Sequence, residues 1–189
     1  MKDRKALYVT VYVAIMASII FVATYFIRIE IPTPTGPTNI KMGNILCLVA
    51  GMLFGGIYGG LAAGIGSVFF DLLNPAYISS APFTLVFFFT MGAVCGFISH
   101  SGGAKGLSTV RNTIGAICGA ASYFVLHIGK NVVMLVIAGS EFIPAVTANV
   151  AKMITSGINA GIAVVVSVLI AKPLNSLLRK AGVLERIGK

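Results

Sequence analysis

The chain has 189 residues, a formal net charge of +9 and a mean hydropathy of +0.97, yet only 10% of its residues are charged. Soluble domains carry about 25% charged residues, so the composition excludes an ordinary soluble protein and predicts an integral membrane protein. The length accommodates roughly six spans of about 20 residues. No segment has the alternating pattern of a membrane β-barrel, so we expect an all-α fold.

We expect one membrane domain over residues 1–189 with six transmembrane helices. The first apolar run follows a charged start, but it is too long for a signal peptide and no small-residue cleavage site follows it, so we expect a retained span. Lys105 and Arg111 lie in a loop without acids, which the positive-inside rule places in the cytoplasm with both chain ends. The spans are expected at residues 6–27, 44–57, 58–73, 82–99, 112–138 and 145–171.

The positive charge therefore indicates topology and not nucleic-acid binding. The C-terminal cations are expected in the cytoplasm, on a short amphipathic helix that lies on the membrane. They are Lys172, Arg179, Lys180, Arg186 and Lys189.

The last predicted span carries a stripe of polar side chains. Asn149, Lys152, Ser156 and Asn159 fall within one narrow arc of a helix that turns about 100° per residue. A lysine and two asparagines are costly to place against lipid, so the arc is expected to face protein or a wet cavity. Two interpretations are open at this point: a polar seam that holds helices together, or one wall of a pocket for a polar small molecule.

The fifth predicted span has a matching polar face. Tyr123, His127, Lys130 and Asn131 are spaced i, i+4, i+7 and i+8, so they share one side of the helix. Both stripes are richest toward the end that we assign to the outer side of the membrane. Together with the loops expected on the outer side, at residues 28–43, 74–81 and 139–146, they predict a pocket that opens outward.

The first loop, residues 28–43, contains Pro32, Pro34 and Pro37, which forbid a regular helix. Its polar residues are either parts of a gate at the pocket or a plain solvated connector. Those residues, with the start of the second span, are Thr33, Thr35, Thr38, Asn39, Lys41 and Asn44. Asp71 can cap a helix, pair with a lysine or touch a ligand, and we favour a structural role.

Glycines interrupt the second and third spans at four-residue spacings, such as Gly51/Gly55 and Gly60/Gly64. This spacing favours close backbone packing, and a glycine-smoothed surface suits rigid-body movement against a partner. The glycines do not form a nucleotide-binding loop, because the sequence contains no G-x-x-x-x-G-K-[ST] motif. The chain therefore lacks the means to hydrolyse ATP itself.

Other residues that often carry chemistry are expected to be structural. Cys47, Cys95 and Cys118 each lie within an apolar run, which predicts three buried packing residues and neither a disulfide nor a metal site. His100 is expected at the surface. The phenylalanines of the fourth span, Phe87, Phe88 and Phe89, are expected to face lipid or the core.

The arrangement resembles the substrate-binding S components of energy-coupling factor (ECF) vitamin transporters, over nearly the whole chain. The most specific stretch is PTPTGPTNIKMGNILCLVAGMLFGGIYGGLAAGIGSVFFDLL at residues 32–73, followed by APFT at 81–84. It is similar to the branch associated with hydroxymethylpyrimidine and pyridoxine, which is related to the riboflavin-binding branch. The pair Asn149-x-x-Lys152 is similar to the amide–lysine pair that riboflavin-type members place in the ligand pocket on their last helix.

The resemblance implies a six-helix subunit of a prokaryotic plasma membrane, without a cofactor. It implies partnership with a transmembrane T subunit and two ATP-binding cassette ATPases, and toppling of the whole S unit to carry its ligand across. The family's first helix often docks on the T subunit through Ala-x-x-x-Ala. The nearest match here is Ala14-x-x-x-Ser18, so we expect Ala14, Ala17 and Ser18 to contact the partner.

The expected ligand is a water-soluble vitamin or precursor: hydroxymethylpyrimidine or pyridoxine first, then pantothenate or riboflavin. The lysines suit a carboxylate, but pairing with Asp71 and Glu141 would leave a neutral site. Ring stacking would fall to Tyr77, Tyr123 and Phe83, since the chain has no tryptophan. The full set of expected ligand contacts is Asn149, Lys152, Asn159, Lys130, Asn131, His127, Tyr123, Asn39, Lys41, Asn44, Tyr77, Phe83 and Thr84.

Two other classes compete with this interpretation. A standalone facilitator or channel needs a polar path through the membrane, whereas the polar stripe fades toward its inner end, at residues 163–170. An intramembrane enzyme needs converging nucleophiles, a metal cluster or paired carboxylates. Asp71 and Glu141 are the only acids between Glu30 and Glu185, so this class is disfavoured.

Overall fold

A computed structural model describes the backbone of residues 2–184 and the side chains of residues 6–184. Arg186 and Lys189 of the expected C-terminal helix lie outside the described residues. The described residues form seven α-helices and one hairpin: α1 (Lys2–Phe26), β1 (Arg28–Ile31), β2 (Thr38–Lys41), α2 (Gly43–Phe54), α3 (Gly56–Leu72), α4 (Ala81–His100), α5 (Thr109–Ile137), α6 (Phe142–Ala148) and α7 (Val150–Lys180).

Four helices among the described residues are long and apolar enough to cross a membrane, at Ala6–Phe26, Ile78–Gly103, Thr109–Ile137 and Val150–Lys180. The helices at the second and third expected spans are shorter, with 12 residues in α2 and 17 in α3. At about 1.5 Å per residue, α2 is about 18 Å long, against a hydrocarbon core of about 30 Å. The protein is a helical, multi-pass membrane protein, while six spans and the N-in, C-in orientation stay predictions.

The first loop, all of which the structure describes, contains no helix before α2, as its prolines predict, and its two flanks form a β-hairpin that the sequence pattern did not indicate. Strands β1 and β2 pair antiparallel, with Arg28 opposite Lys41 and Ile31 opposite Thr38. The three prolines lie between the strands, where their missing N–H groups remove no ladder hydrogen bond. The helical fold class therefore holds with this hairpin as an exception.

Helix α2 forms the centre of the bundle. Cys47, Leu48, Val49, Ala50 and Met52 are completely buried in a core that also includes residues of α1, α3, α4, α5 and α7. A short helix enclosed on all sides has no polar face to present, which explains the apolar sequence that follows Asn44.

The glycines place α2, α3 and α4 in backbone contact, as their spacing predicts. A Cβ added to Gly59 would lie 2.5 Å from the Cα of Gly51, and one added to Gly96 would lie 2.4 Å from the carbonyl carbon of Gly55. Gly55 also turns the chain from α2 into α3 with φ of 83°, a conformation that favours glycine. Because this surface is used inside the bundle, the idea that these glycines smooth a partner-facing surface is wrong.

The last expected span is divided near its start. Helix α6 ends at Ala148 and α7 begins at Val150, with Asn149 between them at φ −95° and ψ 1°. From there α7 continues through Pro173 to Lys180. Lys172, Arg179 and Lys180 are therefore part of the last long helix and not of a separate surface helix.

The end of the bundle opposite the hairpin is closed by the connection between α4 and α5. Asn112 donates a hydrogen bond to the carbonyl of Gly106 (2.8 Å), and Asn175 donates one to the carbonyl of Lys105 (3.1 Å). His100 is half-buried and its Nε2 lies 2.9 Å from the carbonyl oxygen of Met52, so the expectation of a surface histidine is wrong.

The three thiols differ in exposure. Cys47 and Cys95 are buried as expected, but Cys118 is exposed on α5 next to the exposed Ile117, so its assignment to the packed core is wrong. The apolar run around Cys118 covers both sides of α5, because Ala116 and Ala120 are buried in the core while Ile117 and Cys118 are exposed.

We expect a small apolar maleimide to label Cys118 and to spare Cys47 and Cys95 in the folded, detergent-purified protein, because the other two are enclosed by packed side chains. Peptide mass spectrometry before and after denaturation measures this. A Cys118→Ser variant serves as the control and is expected to take up label after denaturation alone. Labelling of Cys47 or Cys95 at the rate of Cys118 would contradict the packing described.

Candidate functional site

A cavity of about 250 Å³ lies at the hairpin end of the bundle, among the β1–β2 turn, the turn before α4, and helices α3, α4, α5 and α7. Most of the residues expected to contact a ligand line it. They are Asn39, Lys41, Tyr77, Phe83, Thr84, Tyr123, His127, Lys130, Asn131, Lys152 and Asn159. The structure thus brings together polar residues that are far apart in the sequence.

Lys152 connects α7 to the turn of the hairpin. Its side chain is 6% exposed, and its Nζ donates a hydrogen bond of 2.6 Å to the backbone carbonyl of Thr35. One and two turns further along α7, Ser156 and Asn159 also line the cavity, and Asn159 donates a hydrogen bond to the carbonyl of Asn39 (3.4 Å). The predicted stripe on the last helix therefore faces the hairpin and the cavity and not lipid.

The hairpin is also tied to the turn before α4. Asn39 donates a hydrogen bond of 2.8 Å to the hydroxyl of Tyr77, and that hydroxyl donates one of 3.4 Å to Glu30. Burial, with the Glu30 carboxylate nearby, raises the pKa of Tyr77 to about 12, so the phenol stays protonated at neutral pH. Both strands thereby hold this wall of the cavity in place.

Aromatic rings from α4 and α5 form the opposite wall. Tyr123 stacks on His127 with ring centroids 5.4 Å apart and planes 12° apart, and Phe88 lies 4.6 Å from Tyr123. Asn131 donates a hydrogen bond of 2.9 Å to the carbonyl of His127. A flat ligand ring would find apolar faces here, with amide and ammonium groups at its edge.

Three ammonium groups and one carboxylate surround this space. Lys41 lies over the rings of Phe70 (5.2 Å) and Phe88 (4.8 Å), and Lys130 donates a hydrogen bond of 3.1 Å to Ser80. Asp71 is 4% exposed and accepts a short hydrogen bond from Thr84. Burial lowers the pKa of Lys41, and the Asp71 charge opposes that change.

Comparison with known families decides what kind of protein carries this cavity. A family model described as "ECF-type riboflavin transporter, S component" matches residues 5–176. The chain belongs to this family. The S component is thus a membrane-embedded, substrate-binding part of a vitamin transporter and not an enzyme. The family description names riboflavin, and the narrower hydroxymethylpyrimidine and pyridoxine branch stays a prediction.

The S component also resembles a protein from Pyrococcus woesei described as an "Uncharacterized protein in gap 3'region", with 34% identity over 102 residues. The alignment covers 54% of the S component and 66% of the Pyrococcus protein, just under two thirds of that relative.

Two residues expected in the pocket do not line it. Asn149 is completely buried at the break between α6 and α7, where its amide donates to the carbonyl of Ala145 (2.9 Å) and its oxygen accepts from the Thr35 hydroxyl (3.2 Å). Asn44 is 1% exposed at the start of α2, outside the cavity wall. Asn149 therefore positions the hairpin turn beside Lys152, and its expected direct contact with a ligand stays a prediction.

Sequence reasoning missed Phe70 of α3 and favoured other roles for three further cavity residues of the S component. Asp71, for which a structural role was favoured, lines the cavity in addition to its hydrogen bond with Thr84. Phe87 and Phe88, expected to face lipid or the core, are buried and line the cavity as well. The weak signal for Asp71 was its position at the end of a span next to the outer loops. Periodicity gave no signal for the phenylalanines, because α4 has apolar residues on every side.

The surface expected to meet a partner is partly used inside the S component. Ala17 is 4% exposed, and a Cβ on Gly66 would lie 2.5 Å from its carbonyl oxygen, so Ala17 belongs to the α1–α3 contact. Ala14 and Ser18 are exposed and line a shallow, mostly apolar groove with Phe69 of α3. Their role in docking stays a prediction.

Proposed function

We propose that this S component captures a compact water-soluble vitamin or vitamin precursor and delivers it to an ECF-type importer. The observation that carries the proposal is the cavity itself, in which ammonium groups, amides and stacked rings converge beneath a hairpin tied down by Lys152. Binding sites for small molecules combine apolar walls with a few well-placed polar groups in this way. The ligand-binding residues are those that line the cavity.

The size of the cavity supports a small ligand. At about 250 Å³ it lies just below the range of volumes for small-molecule sites, roughly 300–1,000 Å³. A single ring or a short chain, as in hydroxymethylpyrimidine, pyridoxine or pantothenate, matches this volume better than the three fused rings and ribityl chain of riboflavin.

Transport requires partners in this proposal. The sequence has no phosphate-binding loop, so a T subunit and two ATP-binding cassette ATPases of a prokaryotic plasma membrane would supply the energy. The bundle beyond the cavity is filled by buried Leu48, Met52, Met91 and Cys95, an arrangement that favours a binding unit over a channel.

Native mass spectrometry of the detergent-purified chain tests the proposal. We expect a bound small molecule that is lighter than riboflavin and is released on denaturation. Uptake assays form the second arm, and we expect transport of that molecule when the chain is co-expressed with T and ATPase subunits. A chain that binds no vitamin-like molecule, or that transports one without any ATPase, would contradict the proposal.

A further inference from the structure

The cavity carries an excess of positive charge. Its lining includes Lys41, Lys130 and Lys152 against the single carboxylate of Asp71, which leaves two positive charges when His127 is counted as neutral. Glu141, the other acid available for pairing from the sequence, is exposed at the start of α6 and does not line the cavity. Asp71 and Glu141 therefore do not neutralise the cavity together, because Asp71 alone of the two lines it.

All three lysines, Lys41, Lys130 and Lys152, act electrostatically on the same residue of α5, His127. Each ammonium group contacts neutral atoms: the faces of Phe70 and Phe88 for Lys41, the Ser80 hydroxyl for Lys130, and the Thr35 carbonyl for Lys152. Cations enclosed in a protein are normally matched by an anion, so the excess positive charge is complementary to an anionic group that the described residues do not provide.

Asp71 does not interact with all three lysines. It interacts with Lys41 and Lys130, whereas the charge that acts on Lys152 is that of another cation, Lys130. Lys130 and Lys152 thus act on each other as like charges, and both line the cavity together with the stacked rings of Tyr123 and His127.

We propose that the ligand is a small organic acid, whose carboxylate or phosphate group binds between Lys130 and Lys152. The rest of the molecule lies against Phe88, Tyr123 and His127. This inference rests on the proposed function and narrows it: among molecules of suitable size, the site selects the acid over its neutral counterpart. The interaction of one anionic group with two ammonium groups supplies the selectivity.

Matched pairs of probes test the inference by isothermal titration calorimetry on the dialysed full chain. The pairs are nicotinate and nicotinamide, pantothenate and pantothenol, and pyridoxal 5′-phosphate and pyridoxal, which differ in the acidic group. We expect the acid to bind at least tenfold more tightly than its neutral counterpart in every pair that binds. Equal or weaker binding of the acid would overturn the inference and leave the proposed function standing.

Two variants move the preference in opposite directions. Asp71→Asn removes the competing carboxylate and is expected to strengthen binding of the acid, whereas Lys130→Met is expected to reduce the acid-to-neutral ratio at least tenfold. Lys172→Met, an exposed lysine of α7 outside the cavity, is the matched control and is expected to leave the ratio unchanged. Size-exclusion chromatography and thermal melting establish that each variant is folded. Unchanged ratios in both folded cavity variants would overturn the inference.

If no probe binds, the molecule found by native mass spectrometry decides. An acidic molecule supports the inference and a neutral one overturns it. Absence of any bound molecule, together with no binding of any probe, would contradict the proposed function itself, so the two failures are distinguishable.

Discussion

Replacing Lys152 with alanine is expected to weaken ligand binding by 10- to 100-fold. This ammonium group is nearly enclosed, and it donates a hydrogen bond of 2.6 Å to the carbonyl of Thr35. A hydrogen bond to a charged group contributes about 1.5–3 kcal/mol, and about 1.4 kcal/mol corresponds to a factor of ten. Titration calorimetry with the molecule identified by native mass spectrometry gives the ratio directly.

The same substitution also removes the connection between α7 and the hairpin, so part of the loss can reflect a displaced Thr35 turn. Thr35→Ala keeps the backbone carbonyl that Lys152 uses and loses the hydroxyl bond to Asn149. It therefore separates the two effects and is expected to weaken binding less than tenfold. Lys172→Ala on the same helix is the control outside the cavity. If Lys152→Ala binds as tightly as the parent chain, the assignment of this cavity as the ligand site is wrong.

The polar faces of α5 and α7 could be predicted because their information is local. A helix that places Tyr123, His127 and Lys130 on one side does so whatever surrounds it. The cost of exposing Lys152 and Asn159 to lipid then requires those faces to turn inward. Two inward polar faces near the same end of a bundle meet in space, which is why so many of the expected residues line one cavity.

The hairpin could not be predicted by the same argument. Prolines excluded a helix over residues 32–37, but the pairing of residues 28–31 with 38–41 depends on hydrogen bonds between separate segments. The role of Asn149 was missed for a related reason. Its amide satisfies the carbonyl of Ala145 where α6 ends, and a continuous apolar run gives no sign of that break.

The sequence also did not reveal which side chains of the apolar helices are exposed. Cys118 and Cys95 stand in similar apolar runs, yet one faces outward and the other lies in the core. Phe88 faces the cavity, whereas Phe97 of the same helix is 59% exposed. In a membrane both environments are apolar, so side-chain polarity does not distinguish them and the neighbouring helices decide.

Adding one methyl group at Gly59 is expected to destabilise the protein strongly. A Cβ at this position would lie 2.5 Å from the Cα of Gly51 and 2.7 Å from the carbonyl oxygen of Ala50. These are backbone atoms of the buried helix α2, so no flexible side chain can move aside. Overpacking costs about 1–3 kcal/mol in adaptable cores, and we expect Gly59→Ala to lie at or above the upper end of that range. Thermal melting in detergent measures the loss, which we expect to lower the melting temperature by at least about 6–12 °C.

Gly157 on α7 provides the matched control, because a Cβ there meets nothing within 4 Å. Gly157→Ala removes backbone freedom from a helix interior and is expected to stabilise the helix by about 0.5–1 kcal/mol. The same chemical change is therefore expected to lower the stability at Gly59 and to raise it at Gly157.

A melting temperature that rises in both variants would mean that α2 and α3 are further apart than described. Helix α2 begins directly after the hairpin, whose last residue is Lys41. Such a separation would therefore move Lys41 away from Asp71 and Phe88 and disrupt the cavity. The glycine contacts and the binding site therefore depend on the same helix packing.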